Sequence, residues 1–155
     1  MRIYFLRHAD AEDRKPGGTD AERPLSIKGK RQSDNVARWL KNHGVEVEVV
    51  VTSPLLRARQ TAETVAKALR APLREDERLS GGLLTLDVLA QIIADSGAKE
   101  ALLLVGHEPD FSLILAALTG GNVEVKKASA ALVICHGIAP GEGELVWLVP
   151  PTLQK

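Results

Sequence analysis

The chain is poor in cysteine and in aromatic residues. Its single cysteine, Cys135, excludes an intrachain disulfide and a thiolate metal site, and we expect it to be a buried strand residue. Two tryptophans, one tyrosine and two phenylalanines among 155 residues argue against a base-stacking surface. The 20 basic and 20 acidic side chains cancel, so the composition lacks the basic excess typical of nucleic-acid binders. We therefore expect no nucleic-acid partner.

Long apolar runs are also missing. The apolar stretch near the start, residues 3–6, ends in a charge and is too short for a signal-peptide core or a membrane span. We expect no membrane association and a cytoplasmic location. A length of 155 residues with 45% hydrophobic residues predicts a single domain, residues 1–155, with one well-buried core.

Short apolar runs alternate with segments whose apolar residues follow helical spacing. Strands are predicted over 3–6, 45–52, 101–105, 130–136 and 144–150, and helices over 26–43, from Ser53 to about 69, after Thr85, and over 109–118. Ser26, Ser53 and Thr85 are the expected N-caps, with Pro54 in the first turn after Ser53. Residues 9–24 form a long, charged loop of the kind that is usually functional. This alternation predicts an α/β fold, a three-layer α/β/α sandwich with a mainly parallel central sheet.

Basic or imidazole side chains follow three of the predicted strands. Arg7 and His8 follow the first strand, Arg57 lies in the first turn after the second, and His107 follows the strand over 101–105. Open α/β sheets form their ligand crevice at the carboxyl ends of the strands, so these side chains should meet there. Guanidinium groups match phosphate oxygens bidentately, and a helix N-terminus adds donors and a positive dipole. The sequence predicts a phosphate-sized anion pocket.

The role of His8 is open when the residue is considered alone. It could be a nucleophile, a metal ligand or a structural histidine. His8, Asp10 and His107 would be a conceivable metal set for a metal hydrolase, but Arg7 and Arg57 would repel a divalent cation. We therefore expect neither a metal nor another cofactor.

Four segments together resemble the histidine phosphatase superfamily, which includes the phosphoglycerate mutases, and within it the small SixA-type phosphohistidine phosphatases. They occur in the family's order and spacing and cover the chain nearly end to end: LRHADA (6–11), RPLSIKG (23–29), SPLLRARQTA (53–62) and VGHEPD (105–110). Ala9 is a departure, because the larger family usually has glycine at this position; its extra methyl group could narrow the approach to His8.

The resemblance implies a phosphoglycerate-mutase-like fold and assigns roles to individual residues. His8 is the implied nucleophile that becomes phosphorylated, and Arg7, Arg57 and His107 are the implied phosphate pocket. The implied activity is a phosphohistidine phosphatase that works through a covalent phosphohistidine intermediate on a signalling or phosphotransfer protein. A phosphate or sulfate ion is an expected occupant of the pocket. Because cations depress the pKa of a nearby imidazole, Arg7 and Arg57 should keep His8 neutral and nucleophilic.

A general acid has no clear match in this sequence. Larger family members use a glutamate; Glu77 and Asp87 lie in about the right stretch, but residues 75–77 read equally well as a solvated acidic turn. An imidazole leaves phosphorus more readily than an alkoxide, so a phosphohistidine substrate could dispense with a strong acid. Two alternatives stay open: a phosphatase for small phosphate esters and a phosphate-binding module without turnover. Family members that act on small esters often carry a capping insertion in the region occupied here by residues 71–100.

Overall fold

The computed structural model describes residues 1–155. Six strands alternate with four α-helices and three single-turn 3-10 helices. The strands are β1 (Arg2–Arg7), β2 (Val49–Thr52), β3 (Leu73–Glu75), β4 (Ala101–Gly106), β5 (Ala130–Cys135) and β6 (Gly143–Val149). The α-helices are α1 (Ile27–Asn42), α2 (Leu56–Leu69), α3 (Leu86–Ser96) and α4 (Asp110–Thr119), and the 3-10 helices are Asp20–Glu22, Glu77–Leu79 and Pro151–Leu153.

The strands form one sheet in the order β3-β2-β4-β1-β5-β6. The pairs β3–β2, β2–β4 and β4–β1 are parallel, whereas β5 pairs antiparallel with both β1 and β6. Five strands therefore point the same way, and the predicted mainly parallel sheet is confirmed. β1 and β4 lie side by side in the middle of the sheet, with Arg7 opposite Gly106.

Helices cover both faces of the sheet, which gives the predicted three layers. Alternate residues of β1 serve opposite sides, so Ile3 and Phe5 belong to one apolar cluster while Tyr4 and Leu6 belong to the other. The first cluster includes residues of α3 and α4, and the second includes residues of α1 and α2. None of the helices combines the length and apolar character that a membrane-spanning helix needs.

The structure corrects several predicted boundaries. β2 begins at Val49 rather than at residue 45, and α2 begins at Leu56 with Leu55 as its N-cap. Ser53 is therefore not the helix cap that its position before a proline suggested. The short strand β3 was not predicted, because three residues in a charged stretch carry too little periodicity to be recognised. The caps at Ser26 and Thr85 are confirmed by side-chain hydrogen bonds to Gly29 N and Val88 N.

Two glycines allow the close packing that positions the strand ends. A Cβ atom on Gly106 would lie 2.8 Å from the ring of Phe111, so a larger residue at the end of β4 would force this buried ring to move. A Cβ atom on Gly29 would lie 1.9 Å from the carbonyl oxygen of Asp10, which fixes the first turn of α1 against the chain that follows β1. Gly106 directly precedes His107, and Asp10 lies two residues after His8.

Candidate active site

The candidate site lies where β1, β2 and β4 end. Parallel strands bring their carboxyl ends to the same edge of the sheet, so the residues after each strand converge. A cavity of about 350 Å³ opens at this edge, and only one of its eleven lining residues is hydrophobic. They are Arg7, His8, Asp20, Arg23, Leu55, Arg57, Ser80, Gly81, His107, Glu108 and Lys127. The structure thus brings together all four side chains that we expected to form an anion pocket.

The backbone of the next residue, Ala9, holds the His8 ring in one tautomer. The side chain is part of a residue only 6% exposed, and its Nδ1 atom lies 2.8 Å from the carbonyl oxygen of Ala9. A carbonyl oxygen only accepts hydrogen bonds, so Nδ1 carries the proton and donates it. In the neutral ring the Nε2 lone pair is then unprotonated. An imidazole arranged in this way can attack through Nε2.

Burial, more than charge, keeps His8 neutral. The pKa of His8 is lowered to about 3, and burial is the largest cause, outweighing the opposing effect of the hydrogen bond to the Ala9 carbonyl. His107, Arg57 and Arg7 make smaller contributions to the same lowering. The expected effect of the arginines is therefore present, but desolvation is the larger cause of the shift.

His107 faces His8 across the pocket, with 5.0 Å between the ring centroids. Its Nε2 atom forms a buried 2.7 Å hydrogen bond with the hydroxyl of Ser53, at the end of β2. Burial is the main reason that the pKa of His107 falls to about 4, with a smaller contribution from Arg57. The Ser53 hydroxyl also accepts the Leu55 N–H. Ser53 therefore links the second histidine to the turn that leads into α2.

The two arginines approach the pocket from different elements. Arg7 ends β1, and its Nη1 atom donates to the carbonyl oxygen of Val125 at 3.1 Å. Burial lowers the pKa of Arg7, while Glu108 raises it. Arg57 lies in the first turn of α2, where no side chain caps the helix N-terminus. The pocket thus combines two guanidinium groups with the positive end of a helix dipole.

Asp20 is a pocket residue that the sequence did not reveal. It lies in the loop that leaves β1, in a single-turn 3-10 helix, and it binds Arg57 through two of its oxygens. Its carboxylate also contacts Arg23 at 3.0 Å. The only signal available was the length and charge of the 9–24 loop, which indicated function without indicating which of its acidic residues points inward.

Lys127 is a further pocket residue. It lines the cavity, and its Nζ atom lies 3.0 Å from Oδ1 of Asp10. Oδ2 of Asp10 accepts the hydroxyl of Ser26 at 2.6 Å. Asp10 is thus directed to the first turn of α1, and it does not join His8 and His107 as the metal set considered above. No group of three metal-ligating side chains occurs in the structure.

Glu77 does not line the pocket. It is exposed in the 3-10 helix Glu77–Leu79, and Asp87 is exposed in the first turn of α3. The carboxylates that do line the pocket are Asp20 and Glu108. Glu108 accepts hydrogen bonds from the backbone N–H and the hydroxyl of Ser112. Both carboxylates are therefore already engaged by donors.

Ala9, where we noted a departure from the family pattern, turns away from the cavity. It is fully buried in a small apolar cluster with Leu25 and Ala128, and its N–H donates to the Thr61 hydroxyl. The added methyl group is accommodated by packing and does not line the pocket.

Comparisons with known proteins identify the family of the chain. A family model described as the histidine phosphatase superfamily (branch 1) matches residues 3–81, just over half of the chain. The chain belongs to the histidine phosphatase superfamily, and it is a hydrolase of that superfamily.

Individual relatives refine the likeness. An uncharacterised protein of Picosynechococcus is 37% identical over 137 residues, which cover 83% of this chain and 81% of that protein. The phosphohistidine phosphatase SixA of Escherichia coli K12 is 28% identical and aligns with 100% of this chain and 97% of its own length. A solved structure of the protein histidine phosphatase SixA, complexed with tungstate, superposes with a TM-score of 0.86 at 28% identity and covers 100% of both chains. The expected SixA-like fold is confirmed.

Proposed function

We propose that this protein removes the phosphoryl group from a phosphohistidine carried by another protein, with His8 as the covalent nucleophile. The Nε2 atom of His8 would attack phosphorus while the bond from phosphorus to the substrate imidazole breaks. Water would then attack phosphorus, releasing inorganic phosphate and restoring His8. The two half-reactions exchange one P–N bond for another and then hydrolyse it.

The electrostatics of the pocket support this sequence of steps. A phosphorylated Nε2 leaves the His8 ring positively charged, and the Nδ1–H bond to the Ala9 carbonyl favours that charged state. Arg7, Arg57 and the N-terminus of α2 would neutralise the charge on the phosphoryl oxygens during transfer. His107 would donate a hydrogen bond to those oxygens from the opposite wall.

The observation that carries the choice of substrate is the state of the pocket carboxylates. Asp20 is bound to two arginines, and Glu108 accepts two hydrogen bonds from Ser112. Arg23 and Arg57 lower the pKa of Asp20, which favours its ionised form. A substrate whose leaving group needs little protonation, such as an imidazole, suits such a site better than an alkyl ester does.

The openness of the site also supports a protein-borne phosphoryl group. Residues 71–100 fold into β3, a 3-10 turn and α3, and they supply core residues including Leu79, Leu89 and Ile92. Only Ser80 and Gly81 of this stretch reach the pocket. A phosphorylated side chain on the surface of a signalling or phosphotransfer protein would therefore meet no cap, and such a partner fits the cytoplasmic location expected from the sequence.

The experiment that tests this proposal compares kcat/KM on a phosphohistidine-bearing protein domain with kcat/KM on a panel of small alkyl and aryl phosphate esters. We expect the protein substrate to be preferred at least a hundredfold over any alkyl ester. Preference for one small ester would instead support the small-ester phosphatase, and phosphate binding without any turnover would support the binding module. His8→Ala protein prepared in parallel controls for contaminating phosphatases.

A further inference from the structure

Arg57 already holds an anion that belongs to the protein. Its Nη1 atom donates to the backbone carbonyl oxygen of Asp20 at 2.9 Å, and its Nη2 atom donates to Oδ2 of the same residue at 3.1 Å. No other side-chain hydrogen bond of Arg57 occurs. Arg57 is only 8% exposed, whereas the Asp20 side chain is 59% exposed. An exposed carboxylate on a surface turn is thus paired with a buried cation in the pocket.

The position of Asp20 is reinforced from its outer side. Arg23 contacts the second carboxylate oxygen, Oδ1, at 3.0 Å, and the Nε atom of Arg23 donates to the carbonyl oxygen of Glu12. Both Asp20 and Arg23 line the cavity. The negative charge of Asp20 also extends to the opposite wall, because it raises the pKa of His107 against the larger effect of burial.

A phosphoryl group can bind in the pocket in one of two ways, because the Asp20 carboxylate already contacts Arg57. It can displace Asp20 from Arg57, which costs the energy of the ion pair. Alternatively, the phosphoryl group can bind another edge of the Arg57 guanidinium while Asp20 stays in place. The Asp20 carboxylate then offsets much of the attraction of Arg57 for the phosphoryl group and repels its negative charge. In both cases the charge of Asp20 weakens the hold of the pocket on a free phosphate.

We propose that Asp20 is a specificity-determining residue that competes with the phosphoryl group for Arg57 and so discriminates against small phosphate compounds. The inference rests on the proposed function, because it assumes that the pocket takes a phosphoryl group. A substrate anchored by a protein surface can offset the competition with contacts outside the pocket, whereas a small ester cannot. The same competition favours release of inorganic phosphate after hydrolysis.

The variant Asp20→Asn tests this directly because it removes the charge and keeps the size. The contact from Arg57 Nη1 to the backbone carbonyl of residue 20 does not depend on the side chain, so Arg57 keeps one anchor. Glu22→Gln is the matched control: it neutralises an exposed carboxylate of the same 3-10 turn that does not line the pocket. Asp20→Ala is a second variant that separates the loss of charge from any effect of the new amide.

Calorimetric titration with inorganic phosphate gives the first readout. We expect Asp20→Asn and Asp20→Ala to bind phosphate about two- to fivefold more tightly than the unmodified protein, a range in keeping with the strength of a partly exposed ion pair. Glu22→Gln should bind as the unmodified protein does. A role limited to holding Arg57 in place predicts the opposite, weaker binding by both Asp20 variants, and that result or unchanged binding would overturn the proposal.

Substrate preference gives the second readout. We expect Asp20→Asn to raise kcat/KM on a small aryl phosphate more than on a phosphohistidine-bearing domain, so that the ratio between them narrows. An unchanged or wider ratio would contradict a specificity role. The two proposals can fail separately. If the Asp20 variants bind phosphate more tightly but the protein does not turn over phosphohistidine, only the proposed function is contradicted. Absence of phosphate binding in every variant would overturn both.

Discussion

The hydrogen bond from Nδ1 of His8 to the carbonyl oxygen of Ala9, 2.8 Å long, determines which ring nitrogen carries the proton and leaves the lone pair of Nε2 free. Because the partner is the residue next in sequence, the tautomer is set by the local backbone at the end of β1 and needs no third side chain. The Ala9 carbonyl accepts the Nδ1–H hydrogen bond and fixes the tautomer of His8, as a carboxylate does for the histidine of a catalytic triad. In the proposed reaction, both the nucleophilicity of Nε2 and the stabilisation of the phosphorylated ring would follow from this contact.

Replacing Arg57 with lysine should not be a conservative change. Lysine keeps the charge but loses the planar fork that binds two oxygens at once. We expect kcat/KM to fall by roughly a hundredfold or more, as for removal of one preorganised transition-state donor. Arg59→Lys, two residues along α2 and outside the pocket, is the control that should retain full activity. A rate close to that of the unmodified protein in Arg57→Lys would show that the guanidinium is not engaged in transfer.

Acid should affect catalysis and stability in different pH ranges. His8 loses its nucleophilic lone pair only when pH falls through its pKa of about 3, so kcat/KM should not decline through protonation of this ring between pH 7 and pH 5. Stability responds earlier. The unfolded histidines take up protons below about pH 6.5, whereas folded His8 and His107 do so only near pH 3 and 4. The free energy of unfolding should therefore fall as pH falls through this window.

Denaturant titrations at pH 7 and pH 4.5 measure this loss. His107→Gln removes one of the two buried imidazoles, so it should lose roughly 2 kcal/mol less stability than the unmodified protein over that interval. His43→Gln, at the exposed end of α1, is the control for replacing a histidine outside the pocket. Equal slopes in all three proteins would contradict the idea that His107 is buried in its neutral form.

Glu77→Gln should have little effect on a phosphohistidine substrate. The residue is exposed, it does not line the pocket, and a departing imidazole needs little help from an acid. Glu75→Gln, in the neighbouring strand β3, is the control. Single-turnover rates on a phosphohistidine domain and on an aryl ester provide the measurement. A loss of a hundredfold or more with both substrates, as expected for a lost general acid, would assign Glu77 to the chemistry and favour small esters.

Chelators should not inhibit the enzyme, and added divalent metals should not activate it. In the proposed pocket, Arg7, Arg57, His107 and the N-terminus of α2 would donate to the phosphoryl oxygens without a metal ion, and Asp10 is engaged by Ser26 and Lys127. Activity measured after exhaustive dialysis against EDTA tests this. Activity that is lost on dialysis and restored by one metal would return the metal hydrolase to consideration.

The positions of His8, Arg57 and His107 could be predicted from the sequence because each follows a strand with a strong apolar pattern. β1 and β4 are fully apolar at their centres, and parallel strands must bring their ends together. Local pattern and topology together therefore specified the pocket. The same reasoning predicted that helices would cover both faces of the sheet, as they do.

The parts that escaped prediction depend on contacts between residues far apart in sequence. Asp20 reaches Arg57 across 37 positions, and Ser53 reaches His107 across 54. Ser53 has the residue type and the following proline of a helix cap, yet its hydroxyl instead takes the Leu55 N–H and the buried ring of His107. Local periodicity in the sequence cannot predict these hydrogen-bond partners, because tertiary packing determines them.

The most direct test of the whole account is whether the phosphoryl group passes through His8. A phosphohistidine domain carrying a radioactive phosphoryl group is mixed with enzyme, quenched in denaturing alkali within the first turnover, and digested for mass spectrometry. We expect transient label on the peptide that contains His8, together with loss of turnover in His8→Ala, which should keep the thermal stability of the unmodified protein to within a few degrees. His136→Ala, an exposed histidine beyond β5, should retain both label and rate. Phosphate release without label on His8, or activity of His8→Ala within a few-fold of the unmodified protein, would contradict the account.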